Sequence, residues 1–353
     1  MEPSLKLASK DFKSLISAVT RFPTIGSFAG SEMVMLSGSK SKLIATSYGV
    51  VLSKAEVAAE GDLPLLALDE RPLIQFAGAC SDAGEVSIDA DEKIVALRHR
   101  KTVVRLPVKA GQEHKLPARS EKGVELPSVL AKKIAYLSAL AHADSSRPEL
   151  CCVMLSGKRA ISCSPKVFAM LSIDHEVAEN APIPLPLAKE MHAGDVLYPG
   201  KLNTMVISGI GRHCMPSLVK AVTDFPLGVV EKYAKTKRAA LCTVSLDKLT
   251  NMVAQCDSIL SVIAKIEIVL CFTLSKGRLA LSAKNSNADF ASSIQVKSQE
   301  AEEAEFHLPL DELKAALALG SDTVTLKSGE KGETYIILDG NDWLMFPAFR
   351  SGK

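Results

Sequence analysis

The strongest constraint on this chain is an internal repeat with a period of about 60 residues. Its clearest copy is residues 305–350, where Leu310, Leu313 and Leu317 follow the 3.6-residue period of a helix that Gly320 ends. A short extended segment precedes this helix, and three β-branched or aromatic runs separated by glycine-containing turns follow it. This copy therefore predicts the order β-α-β-β-β.

The same order recurs upstream at nearly constant spacing. The predicted helix starts are Lys10, Asp69, Ser128, Ala188, Asp247 and Asp311. Six copies predict an α+β fold of three tandem domains with two copies in each. The predicted domains are residues 1–115, 122–222 and 239–350, with a polar linker near residues 109–122 and a second linker at 223–238. Identity between copies is low, so the prediction depends on order and spacing.

Composition limits the class of protein. The chain has 353 residues, 47% hydrophobic and 23% charged, which is ordinary for a globular protein with two or three cores. Eight cysteines lie mostly in apolar segments, a pattern typical of reduced, buried thiols without disulfides. No apolar run reaches the roughly 18 residues that cross a bilayer, and the N-terminus has no signal-peptide core, so we expect a cytoplasmic protein without membrane contact. A net charge of +2 gives no strong whole-chain attraction to nucleic acid.

Catalytic and metal-binding motifs are missing from the sequence. There is no glycine-rich phosphate loop, no dinucleotide fingerprint and no Cys-x-x-Cys or His-Glu-x-x-His pair. His213 and Cys214 are adjacent but have no second spaced pair, which favours ordinary turn or strand residues over a metal site. Asp311 and Glu312 fit the first turn of a helix, where the dipole favours carboxylates. We therefore expect no active site, no metal and no cofactor, and an enzyme with an unrecognised site stays an alternative.

The repeat resembles one known family. Six β-α-β-β-β copies, Phe225-Pro226 before the last third of the chain, and Phe346-Pro347 between apolar residues near the C-terminus are similar to the bacterial-type β sliding clamp, the beta subunit of DNA polymerase III. The resemblance covers essentially the whole chain. It implies that two subunits close head to tail into a ring, with helices lining a hole for duplex DNA and antiparallel sheets outside. It also implies a processivity factor, not an enzyme, that tethers a replicative DNA polymerase and other proteins carrying a clamp-binding motif after a clamp loader has opened the ring.

The resemblance implies that basic residues on the helices face DNA phosphates without reading sequence. The candidate DNA-binding residues are Lys10, Lys13, Arg21, Arg71, Lys132, Lys133, Lys189, Lys248 and Lys314. For any one of them alone an ordinary solvated helix face is the favoured interpretation, but their recurrence on all six helices favours the DNA interpretation.

A second implied site is a groove between the second and third domains in which partner proteins dock a short peptide. The matching positions are Leu155, Cys163, Pro165, Lys166, Val167, Phe168, Pro226, Val230, Met345, Phe346, Pro347 and Ala348. Their apolar character suits hydrophobic anchors, and ordinary interdomain packing is the competing interpretation.

The implied dimer interface joins an edge strand of the first domain to the third domain of the partner. Its candidate residues are Lys101, Val103, Arg105, Ile259 and Leu260. Departures from the family pattern at residues 163–168 and 346–350, and a near-neutral charge, indicate a divergent member, for which a phage or plasmid origin is one explanation. A clamp-like protein-interaction scaffold that does not encircle DNA is the alternative function.

Overall fold

The computed structural model of the chain describes residues 3–20, 33–39, 41–48, 51–111, 123–142, 147–199, 204–208, 211–214, 225–235, 239–260, 268–284, 288–298, 303–320, 322–328, 333–339 and 342–346. It is an α+β fold, as the sequence predicts, and every strand pairing whose register is described is antiparallel. No described helix is long and apolar enough to cross a membrane.

The β-α-β-β-β copies follow one another along the chain. The first half contains β1 (Ser4–Ala8), α1 (Ser9–Thr20), β2 (Met33–Ser39), β3 (Lys42–Tyr48), β4 (Leu52–Ala58), β5 (Glu60–Gly61), β6 (Leu63–Asp69), α2 (Glu70–Ala79), β7 (Glu85–Ala90), β8 (Ile94–His99), β9 (Thr102–Pro107), β10 (Val124–Glu125), α3 (Ser128–Leu140), β11 (Cys152–Cys163) and β12 (Phe168–Pro184). The second half contains α4 (Leu185–Ala188), β13 (Val196–Pro199), β14 (Thr204–Ser208), β15 (Gly211–Cys214), α5 (Leu227–Lys235), β16 (Ala239–Ser245), α6 (Leu246–Leu260), β17 (Val269–Ser275), β18 (Arg278–Lys284), β19 (Asp289–Gln295), β20 (Lys297–Ser298), β21 (Ala304–Pro309), α7 (Leu310–Leu317), β22 (Thr323–Ser328), β23 (Thr334–Asp339) and β24 (Asp342–Phe346). After α3 the chain has two long strands where the repeat predicts three.

Five of the six predicted helix starts are correct to within one residue. The exception is the helix expected from Ala188 to His192, because α4 is a single turn that ends at Ala188. Pro184 and Pro186 explain the difference, since proline is tolerated in the first turn of a helix but not further along.

The segment predicted as the second linker also differs. Residues 227–235 form α5, and the carbonyl oxygen of Pro226 accepts hydrogen bonds from the backbone N–H groups of Val229 and Val230, both at 3.1 Å. The Phe225-Pro226 pair therefore begins a helix where the sequence was interpreted as irregular. Residues 236–238 of that linker, and 112–122 of the first, lie outside the described residues.

The chain divides into two compact units. Unit 1 comprises Met1–Lys132, Asp144–Glu149 and Val177–Asp224, and unit 2 comprises Lys133–Ala143, Leu150–Glu176 and Phe225–Lys353. Each unit contains one large and one small sheet, and each large sheet takes strands from two of the predicted domains. This strand sharing accounts for the division into two units, while the division into three domains stays a prediction.

Unit 1 contains a five-stranded sheet in the order β5-β1-β7-β8-β9 and an eight-stranded sheet in the order β10-β13-β14-β15-β4-β3-β2-β6. Its core buries one face of α1 and of α2 against these strands, with Phe12 0% exposed and Phe76 3% exposed. The two rings meet edge to face with centroids 5.8 Å apart. In the larger sheet β4 pairs with β15, so that Ala55 lies opposite Gly211.

Unit 2 contains a seven-stranded sheet in the order β11-β12-β24-β23-β22-β16-β20 and a four-stranded sheet in the order β19-β18-β17-β21. A two-residue turn joins β17 to β18, and both Lys276 and Gly277 have positive φ, the geometry of a tight hairpin turn. α6 buries Leu249, Val253 and Cys256, as their spacing predicts.

Candidate peptide pocket, basic helix faces and sheet edges

The candidate peptide pocket is built around the pairing of β12 with β24 in unit 2. Phe168 lies opposite Met345, and Ala169 lies opposite Leu344. Directly opposed residues of an antiparallel pair share one face of the sheet, so the Phe168 and Met345 side chains are neighbours. The pairing thus brings together two segments that the sequence assigns to one pocket although they are far apart in the chain.

A tight turn leads into this pairing. The Ser164 N–H donates to the Val167 carbonyl oxygen at 2.8 Å, and Ser164 Oγ accepts the Val167 N–H at 3.1 Å. The turn leaves Pro165 exposed and buries Val167 completely. Lys166 Nζ lies 3.5 Å from a carboxylate oxygen of Glu312 on α7. These contacts hold the turn in one conformation beside the pocket.

Burial divides the predicted pocket residues into two groups. Most of them have almost no exposed surface: Leu155, Cys163, Val167, Val230, Met345 and Phe346 are each at most 1% exposed. Pro165 is exposed, and Lys166, Phe168 and Pro226 are partly exposed. Pro347 and Ala348 lie outside the described residues. The buried group therefore belongs to the core of unit 2, and among the described candidates the accessible group alone offers surface that a peptide could contact.

The structure exposes an apolar residue close to Pro226 that sequence analysis missed. Val229 on α5 is 44% exposed and lies three residues after Pro226. It was missed because residues 223–238 were interpreted as a linker. An irregular segment has no periodicity from which the exposure of a valine could be predicted. The exposed side chain adds apolar surface within one helical turn of Pro226.

Two adjacent lysines on α3 have different environments. The Lys133 ammonium donates to the Ser172 carbonyl oxygen at 2.6 Å and to Asp342 Oδ2 at 3.1 Å, and its side chain is 23% exposed. Lys132 is exposed. Because consecutive helical residues point about 100° apart, one can pair inside unit 2 while the other faces solvent. Lys133 is consequently a poorer candidate for phosphate contact than Lys132.

The remaining basic candidates divide in the same way. Lys13 Nζ pairs with Asp82 at 2.5 Å, which holds the pKa of the Asp82 carboxyl below its ordinary value, and Lys314 pairs with Asp257 across α6 and α7. Within the described ranges, the basic candidates that are exposed and have no ion pair are Lys10, Arg71, Lys132, Lys189 and Lys248. Arg21 lies outside the described residues.

The candidate dimer residues lie at one sheet edge and one helix end. β9 is the last strand of the five-stranded sheet, so its outer edge has no neighbour among the described strands. Lys101 and Arg105 are exposed there and Val103 is 39% exposed. At the end of α6, Ile259 is 46% exposed whereas Leu260 is fully buried in its own unit. Of these two residues of α6, Ile259 can therefore offer apolar surface to a partner and Leu260 cannot.

Comparison with known proteins identifies the fold. No protein-family model and no curated protein sequence matches this chain. Solved structures match it over its length: the DNA polymerase sliding clamp of Bacillus subtilis has a TM-score of 0.78 at 12% identity and covers 100% of both chains. The chain has the β sliding clamp fold. The polymerase III beta protein of Caulobacter crescentus has a TM-score of 0.78 at 12% identity and covers 98% of this chain and 100% of its own.

A third sliding clamp structure contains a bound peptide. The Helicobacter pylori beta clamp, bound to a DNA ligase peptide, has a TM-score of 0.74 at 12% identity and covers 98% of this chain and 100% of its own. The clamp fold therefore extends over both units, although the sequence has diverged almost completely.

Two further sequence interpretations can be checked within this clamp fold. The helical period of α3 predicts that Tyr136 lies on the outer face with Lys132 and Lys133, but its hydroxyl is buried without a hydrogen-bond partner among the described residues, and burial raises the pKa of Tyr136. His213 lies in β15, is 2% exposed and has Nδ1 3.0 Å from Ser53 Oγ. His213 is therefore a strand residue, one of the two assignments that its sequence context favours.

Proposed function

We propose that this chain is a DNA sliding clamp that gives a replicative DNA polymerase its processivity. Two copies would close head to tail into a ring around duplex DNA, and partner proteins would dock peptides on unit 2. The observation that carries the proposal is the likeness to sliding clamps across the whole of both chains, with TM-scores of 0.74 to 0.78. The proposal includes a clamp loader to open the ring and no catalytic step by the chain itself.

Exposed cations support the DNA part of the proposal. Lys10, Arg71, Lys132 and Lys248 are exposed and lie on four different helices. Contacts from such residues to phosphates depend on charge and not on base sequence, so the DNA can slide while it stays bound. We expect the affinity for duplex DNA to fall steeply with salt and to be equal for unrelated sequences.

Two sheet edges support the ring. β9 is an edge strand in unit 1, and β19 is an edge strand in unit 2. An edge strand presents unpaired backbone donors and acceptors that a strand of another chain can satisfy. Pairing of β9 with β19 of a second copy would use a different edge on each chain, which is the heterologous contact that closes a ring. The exposed side chain of Ile259, at the end of the helix that packs on β19, would add apolar contact.

The apolar pocket supports the docking of peptides. Phe168 and Pro226 are partly exposed, and Val229, three residues after Pro226, is 44% exposed. Aromatic and proline surfaces of this kind bind short peptides through a few hydrophobic anchors. Replacement of Phe168 by aspartate should abolish the enrichment of apolar peptides from a phage-displayed library, while replacement of the exposed Val129 on α3 should leave it unchanged.

A second candidate function is a protein-interaction scaffold that does not encircle DNA. The observation in its favour is that Lys13, Lys133 and Lys314 are each held by a carboxylate and are therefore less available to phosphates. This candidate retains the fold and the pocket. It predicts no topological link to DNA.

A topological assay separates the two functions. The protein is first diluted until the subunits dissociate and is then concentrated together with nicked circular DNA. Under these conditions two subunits can close around the DNA without a loader. A sliding clamp should co-elute with the circular DNA at moderate salt and be lost when a restriction enzyme linearises it, because a ring slides off an open end. Equal retention on circular and linear DNA, or no retention on either, would rule out encirclement.

Light scattering over a concentration series tests the dimer directly. A ring of two copies should have a mass of about 75 kDa, twice the 37.7 kDa of the chain. Ile259→Asp should shift dissociation to higher concentration by at least tenfold, and Ile74→Asp, a change at an isoleucine that is 42% exposed on α2, should not. Leu260 is unsuitable for this test, since its replacement would damage the core of unit 2.

A further inference from the structure

Three side chains that can bind metal meet on the four-stranded sheet of unit 2, away from the candidate pocket. Cys271 on β17 lies opposite His307 on β21, and Thr273 lies opposite Glu305. Residues 305 and 307 are two apart in a strand, so both point to the same face as Cys271. Strand pairing therefore brings a thiol, an imidazole and a carboxylate together.

The distances are close to those of a metal site. The potential ligand atoms of Cys271, Glu305 and His307 lie within 4.8 Å of one another, and His307 Nε2 is 3.7 Å from Glu305 Oε1. Tetrahedral zinc with bonds of about 2.0 Å to nitrogen and oxygen and about 2.3 Å to sulfur needs ligand atoms roughly 3.3–3.6 Å apart. Changes in the side-chain torsion angles that move the ligand atoms by about 1 Å would bring them to the separations that zinc needs, with the backbone unchanged.

Accessibility and rigidity also fit a bound ion. Leu270, Phe272 and Leu274 are buried on the opposite face of β17, which fixes the strand. On the ligand face, the Glu305 side chain is 62% exposed and that of His307 is 27% exposed, so an ion can enter from solvent. The position left over in a tetrahedral site would be taken by water.

The set of ligands selects the class of ion. Thiolate and imidazole are ligands for zinc and related transition metals, whereas magnesium and calcium require an all-oxygen set. We propose that Cys271, Glu305 and His307 form a zinc site with three protein ligands and one water. On binding, the Cys271 thiol releases its proton to solvent and coordinates as thiolate.

Neighbouring groups support this assignment. Cys271 interacts with the hydroxyls of Thr273 and of Ser282, which lies opposite it on β18, and these contacts orient the sulfur. The Cys271 sulfur and the Glu305 carboxylate lie on the same face of the sheet, so a divalent cation between them would be held by two anionic ligands.

No spaced metal motif in the sequence indicates this site, because Cys271 lies more than thirty positions before Glu305 and His307. The proposal does not depend on the proposed sliding clamp function. Zinc here would link β17 to β21 and stabilise unit 2, whatever the chain binds elsewhere.

Titration of the tag-free protein with zinc, followed by calorimetry, tests the proposal. We expect one ion per chain, and a cobalt-substituted protein should show the charge-transfer absorption of a thiolate–cobalt bond. Cys271→Ser and His307→Ala should each weaken zinc binding roughly 100-fold or more, and Cys271→Ser should abolish the thiolate absorption. Magnesium should not compete at equal concentration.

Glu303→Gln is the matched control. Glu303 is an exposed carboxylate two residues before Glu305, and it accepts a hydrogen bond from the Ser275 hydroxyl. It should bind zinc as the unchanged protein does. Circular dichroism checks that each variant is folded. Zinc binding that survives both Cys271→Ser and His307→Ala, or the absence of stoichiometric binding at micromolar zinc, would overturn the proposal.

Discussion

Replacement of Asp342 by alanine should destabilise the pairing of β12 with β24. Asp342 Oδ1 accepts the Ser172 backbone N–H at 2.5 Å, and Oδ2 accepts the Lys133 ammonium at 3.1 Å. The Asp342 side chain is 15% exposed and that of Lys133 is 23% exposed, so water only partly replaces these bonds. One carboxylate therefore joins a helix and two strands of unit 2.

The expected loss follows from these contacts. A hydrogen bond to a charged group contributes about 1.5–3 kcal/mol, and a partly exposed ion pair adds up to about 1 kcal/mol. In the Asp342→Ala variant, the Lys133 ammonium would still donate to the Ser172 carbonyl oxygen, a bond of 2.6 Å. This remaining bond limits the destabilisation caused by an unpaired Lys133 charge. We expect Asp342→Ala to lower the free energy of unfolding by about 2–4 kcal/mol and Asp342→Asn by about half as much, since the amide still accepts one hydrogen bond.

Urea denaturation followed by tryptophan fluorescence measures this loss of stability with a probe in the same strand as Asp342. Trp343 is the single tryptophan of the chain and lies in β24 next to Asp342. The midpoint should fall while the m-value stays constant. Asp174→Ala, which removes an exposed carboxylate from β12, should change stability by less than about 0.5 kcal/mol. A similarly small effect of Asp342→Ala would refute the reasoning.

Four further predictions concern Phe12, Asp82 and Cys242. Phe12→Ala should cost about 3–5 kcal/mol in calorimetry, because Phe12 is fully buried against Phe76, and a loss under about 1 kcal/mol would contradict this. Asp82→Asn should free Lys13 and strengthen the binding of duplex DNA at low salt, with no change expected if Lys13 does not face DNA. The same pair should persist at neutral pH and be lost as pH falls through the lowered pKa of Asp82, below its usual value of 3.8, as an NMR titration of Asp82 can show. Cys242 is fully buried and burial raises its pKa to about 11, so its alkylation at pH 8, measured by mass spectrometry, should be much slower in the folded protein than in the urea-unfolded chain.

Periodicity in the sequence predicted most of the helices correctly. Apolar side chains at a helical spacing are buried in α1, α6 and α7 as expected, because one face of each helix must cover a sheet. α5 was missed because residues 223–238 were interpreted as a linker, whereas Pro226 stands where a helix begins. The same local signal has opposite meanings at the start and in the middle of a helix.

Long-range partners could not be predicted from the sequence. Lys132 and Lys133 are identical neighbours, yet only Lys133 meets Asp342, a residue more than two hundred positions away. Likewise, Cys271 and His307 become neighbours only through the register of β17 against β21. Strand order and register depend on the packing of the complete chain, so the pocket and the proposed zinc site were visible only in part, or not at all, before the structure.

The pairing of β4 with β15 has a consequence for synthesis on the ribosome. Residues 52–58 emerge long before residues 211–214, their partners in the eight-stranded sheet. At a translation rate of about 5–20 residues per second, the edge of β4 waits roughly 8–30 seconds for β15. During that interval the nascent chain exposes a strand edge on which other chains can aggregate, so chaperone occupancy of ribosome-bound fragments should drop once β15 has left the exit tunnel.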